Sequence, residues 1–120
     1  SVANYFKKNG WKNNEIIMSN LIYEDSNKKY VENESKKTYK PKTPYKTFMN
    51  NKLYADENIT DNTLLSVIGR EEQEGKIYSF AHKNFYVITR YNRSRLYALA
   101  VYTLSNQIKR HKLELENHNL

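Results

Sequence analysis

The chain of 120 residues has no cysteine, only three glycines and two prolines. Without cysteine there is no disulfide, no thiolate nucleophile and no cysteine zinc site. The compartment stays open, because many periplasmic proteins also lack disulfides. Gly10, Gly69 and Gly75 all fall at the ends of predicted elements, so no glycine-rich phosphate loop can be built. No run of about 18 apolar residues occurs, so no membrane-spanning helix is predicted. No signal peptide is visible in this stretch, and one could lie upstream or have been removed. Histidine is scarce too: His82 stands alone, and His111 and His118 lie near the C-terminus without the spacing that places two imidazoles on one helix face. No acidic loop has the calcium pattern. Neither a metal site nor a cofactor is expected. Gly-x-Ser-x-Gly is missing as well, which removes the familiar serine nucleophile.

Positive charge and tyrosine are abundant. The net charge is +7, and it is uneven: residues 1–50 carry ten lysines against five acids, and residues 51–120 carry ten basic residues against eight. Such a surface favours polyanions, among them nucleic acid, acidic lipid head groups and acidic cell-wall polymers. A Lys-rich surface that serves solubility alone is the plainer alternative. Most acids lie in polar runs where nothing would raise a carboxyl pKa, as glycoside chemistry requires. Glu15, at the start of a predicted strand, is the least unsuitable general acid. Of the eleven tyrosines, Tyr5, Tyr23, Tyr54, Tyr78, Tyr86 and Tyr102 read as core or strand residues. Tyr91 stands apart, in a polar corner with Asn92 beside it. Aromatic rings next to amides bind sugars, and unstacked bases, by stacking and hydrogen bonding. Asn92 reads equally well as a helix N-cap, but Ser94 could fill that role. Tyr97, one turn into the next helix, would direct its hydroxyl back toward the corner.

The pattern predicts an α+β chain. A short helix covers residues 1–8 and is stopped by Gly10, with Trp11 packing back on it. Strands are expected over residues 15–23, 63–69, 76–82 and 85–89, the last three forming an antiparallel meander. Residues 24–42 read as a polar loop with at most one edge strand. Pro44, at the first helical position, would start a helix to about Asn51. A buried helix closes the body over residues 94–110, followed by a frayed tail. By domain, residues 1–11 are the end of a core helix, 12–83 an inserted antiparallel β domain, 84–110 the last strand and closing core helix, and 111–120 a flexible tail.

Two motifs carry a resemblance. The first is Ser1 to Phe6 with Gly10-Trp11, and the second is Asn84-Phe85-Tyr86-Val87-Ile88-Thr89-Arg90-Tyr91-Asn92, continued by Ser94, Tyr97 to Val101 and Leu104. In this order and spacing they resemble the membrane-bound lytic murein transglycosylase B family. The resemblance implies a lysozyme-like helical core, only part of it present, with a small antiparallel β-sheet domain inserted between its helices. It implies non-hydrolytic cleavage of the MurNAc-β-1,4-GlcNAc bond in peptidoglycan. A single Glu protonates the glycosidic oxygen, and the muramyl 6-hydroxyl attacks C1 to give a 1,6-anhydro product. The family's Glu-Ser motif precedes the first match. The Glu34-Ser35 pair here follows it, within the polar loop, so the catalytic Glu is expected outside this chain and the fragment alone should be inactive. Carried over, Tyr91 would orient that acid, and Tyr91, Asn92 and Tyr97 would bind substrate.

The expectations that follow are glycan strands as partner, no nucleic acid, a monomer, and a periplasmic location with room for an outer-membrane lipid anchor attached upstream. Two other classes stay open: a basic nucleic-acid-binding module, and a glycan-binding domain without catalysis.

Overall fold

A computed structural model describes residues 2–92 and 95–118. Helix α1, Val2–Lys8, ends as Gly10 takes φ +91°. The Trp11 amide then donates to the Phe6 carbonyl at 2.9 Å and the Gly10 amide to that of Lys7 at 3.4 Å. These are the paired closing bonds of a Schellman end. Its apolar contact is present too, since the Trp11 ring stacks on Phe6 at 5.3 Å.

Five strands follow among the described residues: β1 Met18–Ile22, β2 Thr43–Pro44, β3 Tyr54–Ala55, β4 Leu64–Glu72 and β5 Gly75–Ala81. They form one antiparallel sheet in the order β2-β4-β5-β1-β3. Strands β4 and β5 are a hairpin closed by Gln73-Glu74, with Glu72 opposite Gly75, whose φ of +122° only glycine adopts freely. Both faces of the sheet are covered. Leu65, Val67, Tyr78 and Phe80 look one way, onto Leu21, Val31, Tyr45 and Phe48. Ile68 and Ala81 look the other way, onto Met18, Phe85, Ile88 and Ala98. Burial on both sides is why Leu65 to Gly69 is buried without alternation.

Three predictions about local structure are corrected. First, the expected strand over residues 85–89 is a helix, α4, Lys83–Tyr91, so the meander stops at β5, whose second neighbour in the sheet is β1. The β-branched run Val87-Ile88-Thr89 suggested a strand, but helix propensity differs by only about 0.5 kcal/mol per residue. Burying Asn84, Phe85, Val87, Ile88 and Thr89 outweighs that. The Phe85-Ile88-Tyr91 spacing was the helical signal. Second, the polar segment 24–42 holds a 3-10 turn, Asp25–Asn27, and helix α2, Lys28–Ser35, which buries Val31 against the sheet. Third, the last helix, α5, runs over Arg95–His118, so residues 111–118 continue the helix where a frayed tail was expected. It is also less buried than its composition suggested. Ala98 is fully buried, Leu99 and Val101 are half-buried, and Leu104, Ile108, Leu113 and Leu115 are exposed.

Pro44 sits one position earlier than expected, as the N-cap of α3, Tyr45–Asn50. The first helical amides of α3 are satisfied from outside, Tyr45 by the Thr63 carbonyl at 2.8 Å and Lys46 by that of Asp61 at 2.9 Å.

Candidate functional site

The two motifs, some eighty residues apart in sequence, meet along α4. At its N-terminal end the buried Asn84 side chain takes hold of the loop after Trp11. Its Oδ1 accepts the Lys12 amide at 2.9 Å, and its Nδ2 donates to the carbonyls of Lys12 at 2.8 Å and Glu15 at 3.3 Å. At the C-terminal end the Tyr91 ring meets Tyr5 edge-on at 5.2 Å, Phe6 edge-on at 5.7 Å and Tyr97 at 6.2 Å. Edge-on pairs of this kind add about 0.5–1.5 kcal/mol each beyond area burial. Tyr91 nevertheless keeps 41% of its surface exposed. Among the described residues its hydroxyl forms no hydrogen bond, so the phenol is free to meet a ligand.

Asn92 is exposed, and it is the C-cap of α4 rather than an N-cap. Its backbone turns extended, with φ −138° and ψ 114°, and its amide donates to the Ile88 carbonyl at 3.0 Å. Arg93 and Ser94, including the alternative N-cap, lie outside the described residues. Tyr97 is half-buried and packs on the cluster of Met18, Ile68, Phe85 and Ile88. The three residues singled out in sequence thus adjoin one aromatic group, formed by Tyr5, Phe6, Trp11, Tyr91 and Tyr97. Phe6 and Trp11 were expected only to pack.

The carboxylates do not join it. Glu34 sits on α2, which packs on the opposite face of the sheet, and it pairs with Lys37 at 3.1 Å. Glu15 is exposed beside a cleft at the other end of α4.

That cleft was not foreseen. It has a volume of about 750 Å³, within the range of small-molecule sites. Residues from the loop after Trp11, from the approach to β2, from the irregular segment 58–60 and from the start of α4 form its walls. His82 is one of its lining residues. The imidazole is 8% exposed, and its Nε2 lies 2.6 Å from Ser19 Oγ in a hydrogen bond whose direction depends on the tautomer. Burial lowers the His82 pKa from 6.5 to about 4, so the ring is neutral at pH 7. Among the described residues no group of three acid or imidazole side chains is placed to hold a metal ion.

The Transglycosylase SLT domain family matches residues 1–106 of the chain. Among solved structures, the catenated lytic transglycosylase SltB1 from Pseudomonas aeruginosa is 32% identical, with a TM-score of 0.78 over 92% of this chain. The Escherichia coli lytic transglycosylase Slt35 in complex with bulgecin A is 25% identical, with a TM-score of 0.73 over 93% of this chain. The chain spans 36% of the first and 33% of the second, about a third of their length. No curated protein matches it.

Proposed function

Given that the chain belongs to the transglycosylase SLT domain family, we propose that it is part of a peptidoglycan lytic transglycosylase. The protein would cleave the MurNAc-β-1,4-GlcNAc bond without water and release 1,6-anhydromuropeptides. A Glu outside these 120 residues would protonate the glycosidic oxygen and then, as its conjugate base, take the proton of the muramyl 6-hydroxyl as that oxygen attacks C1. The chain itself would supply substrate contacts: the Tyr91 hydroxyl orienting that Glu, and Asn92 and Tyr97 lining the sugar groove.

The observation that carries this reading is the junction at Tyr91. An exposed phenol with no hydrogen bond to the described residues is braced by rings from both motifs. A braced ring gives a sugar a stacking surface at little cost in side-chain entropy. The exposed apolar residues of α5 support a larger helical body, which would cover them. The proposal extends to a monomeric, periplasmic protein, with a lipid anchor at the outer membrane as an option for residues upstream.

The test is product analysis. The intact protein, incubated with purified peptidoglycan, should release muropeptides with 1,6-anhydro ends. Reducing ends from water attack, or no release at all, would refute the activity. Glycan binding without cleavage would leave the binding domain as the better reading. Salt-steep binding to oligonucleotide with none to glycan would favour the nucleic-acid module.

A further inference from the structure

The cleft at the start of α4 carries three lysines, Lys12, Lys40 and Lys83, against one carboxylate, Glu15. All three lysines are exposed, and none forms an ion pair among the described residues. His82 adds no charge at neutral pH. The cleft is therefore a net-positive depression, whereas most lysines elsewhere lie on open surface. The lining is not only charged: Ile16, Ile59, Leu64 and Tyr86 give the cleft apolar surface. Lysines and apolar side chains in one lining together suit a ligand that carries both carboxylates and methyl or methylene groups.

Two features hold two of the lysines in place. Lys12 belongs to the loop that Asn84 grips through both its amide and its carbonyl. Lys83 packs over Gly10, where an added Cβ would come within 2.7 Å of its Nζ. Both are thus fixed relative to α4, the helix that ends at Tyr91.

We propose that this cleft binds the acidic peptide stem carried by the glycan substrate, with Lys12, Lys40 and Lys83 meeting its carboxylates. The proposal rests on the transglycosylase reading and gives it a second subsite, at the opposite end of α4 from Tyr91. About 750 Å³ has room for several residues of peptide.

The experiment measures the intact protein's affinity for two glycans of equal length, one with its stems and one stripped of them. The expected ratio is about tenfold in favour of the stem-bearing glycan at low salt, the factor that three partly exposed ion pairs supply together. It should shrink on adding salt. It should also shrink when the stem carboxylates are amidated, a readout that needs no variant. In the combined variant Lys12→Gln, Lys40→Gln, Lys83→Gln the ratio should fall to about one. A parent ratio of one overturns the subsite while leaving the glycan reading intact, and so does a ratio the variant does not change. Absence of binding to either glycan removes the transglycosylase reading and the stem with it.

Discussion

Acid should destabilise this protein through His82. The imidazole is 8% exposed, its hydrogen-bond partner is a hydroxyl, and burial alone lowers its pKa from 6.5 to about 4. A depressed folded-state value means that the unfolded chain binds the proton more readily. The stabilisation is therefore complete above pH 6.5 and is lost progressively as pH falls toward 4. The full difference corresponds to about 3 kcal/mol, of which about 2 kcal/mol is lost by pH 5. Carboxylates titrate in the same window, so the comparison has to isolate one ring. Urea unfolding of the parent and of His82→Gln at pH 7 and pH 5 does so, because the acids are common to both. The parent should lose about 2 kcal/mol more than the variant between the two pH values. The imidazole can also be followed directly by NMR, where its resonance should not move until well below pH 5. Equal losses in parent and variant, or a titration near 6.5, would refute the argument from desolvation.

Other substitutions separate packing from function. Phe85→Ala removes a fully buried ring between the sheet and α5 and should cost about 3–5 kcal/mol in urea unfolding. Gly10→Ala forces a side chain into φ +91° beneath Lys83, and a melting experiment should show a loss of about 1–2 kcal/mol. Tyr91→Phe keeps the ring contacts and removes only the hydroxyl, so anhydro-product release should slow by roughly tenfold, one hydrogen bond to a charged group, at unchanged melting temperature. Asn84→Ala deletes three partly buried hydrogen bonds and leaves the Lys12 amide without its side-chain acceptor, which should cost about 2–3 kcal/mol in urea unfolding.

What could be read from sequence was what depends on neighbours in the chain. Gly10 and Trp11 predicted the end of α1 because a Schellman closure is a local device. The apolar run Leu64-Leu65 with Val67-Ile68, and the charged turn ending in Gly75, placed β4 and β5. The errors came where distant residues decide. Val87-Ile88-Thr89 has strand chemistry, yet the groove between sheet and α5 takes it as a helix. Val31 is a lone apolar residue in a polar stretch, too little to announce α2, although it is fully buried. Tyr91 was singled out by its setting between a structured run and a helix, and that setting survived the change from strand to helix. The cleft was invisible because its lysines come from three separate segments. Nothing in the sequence says that Lys12, Lys40 and Lys83 are neighbours.

Asn84 ties these observations together. It bonds to Lys12; Lys12 adjoins Trp11, which stacks on Phe6; Phe6 meets Tyr91; and Tyr91 closes the same helix that Asn84 opens. The contacts form a closed ring that includes α4, roughly 10 Å along its axis from Asn84 to Tyr91 at the usual helical rise. A ring so closed would transmit a loosened Asn84 to the Tyr91 phenol, and in the proposed function that phenol makes a ligand contact that tolerates little displacement. Asn84→Ala should therefore lower turnover in conditions where the protein remains folded. Phe48→Ala, equally buried but on the other face of the sheet, should lower stability alone. If the two variants, matched for stability, cleave glycan at the same rate, then α4 does not couple the ends of the site, and Tyr91 is held by its aromatic neighbours without help from the loop.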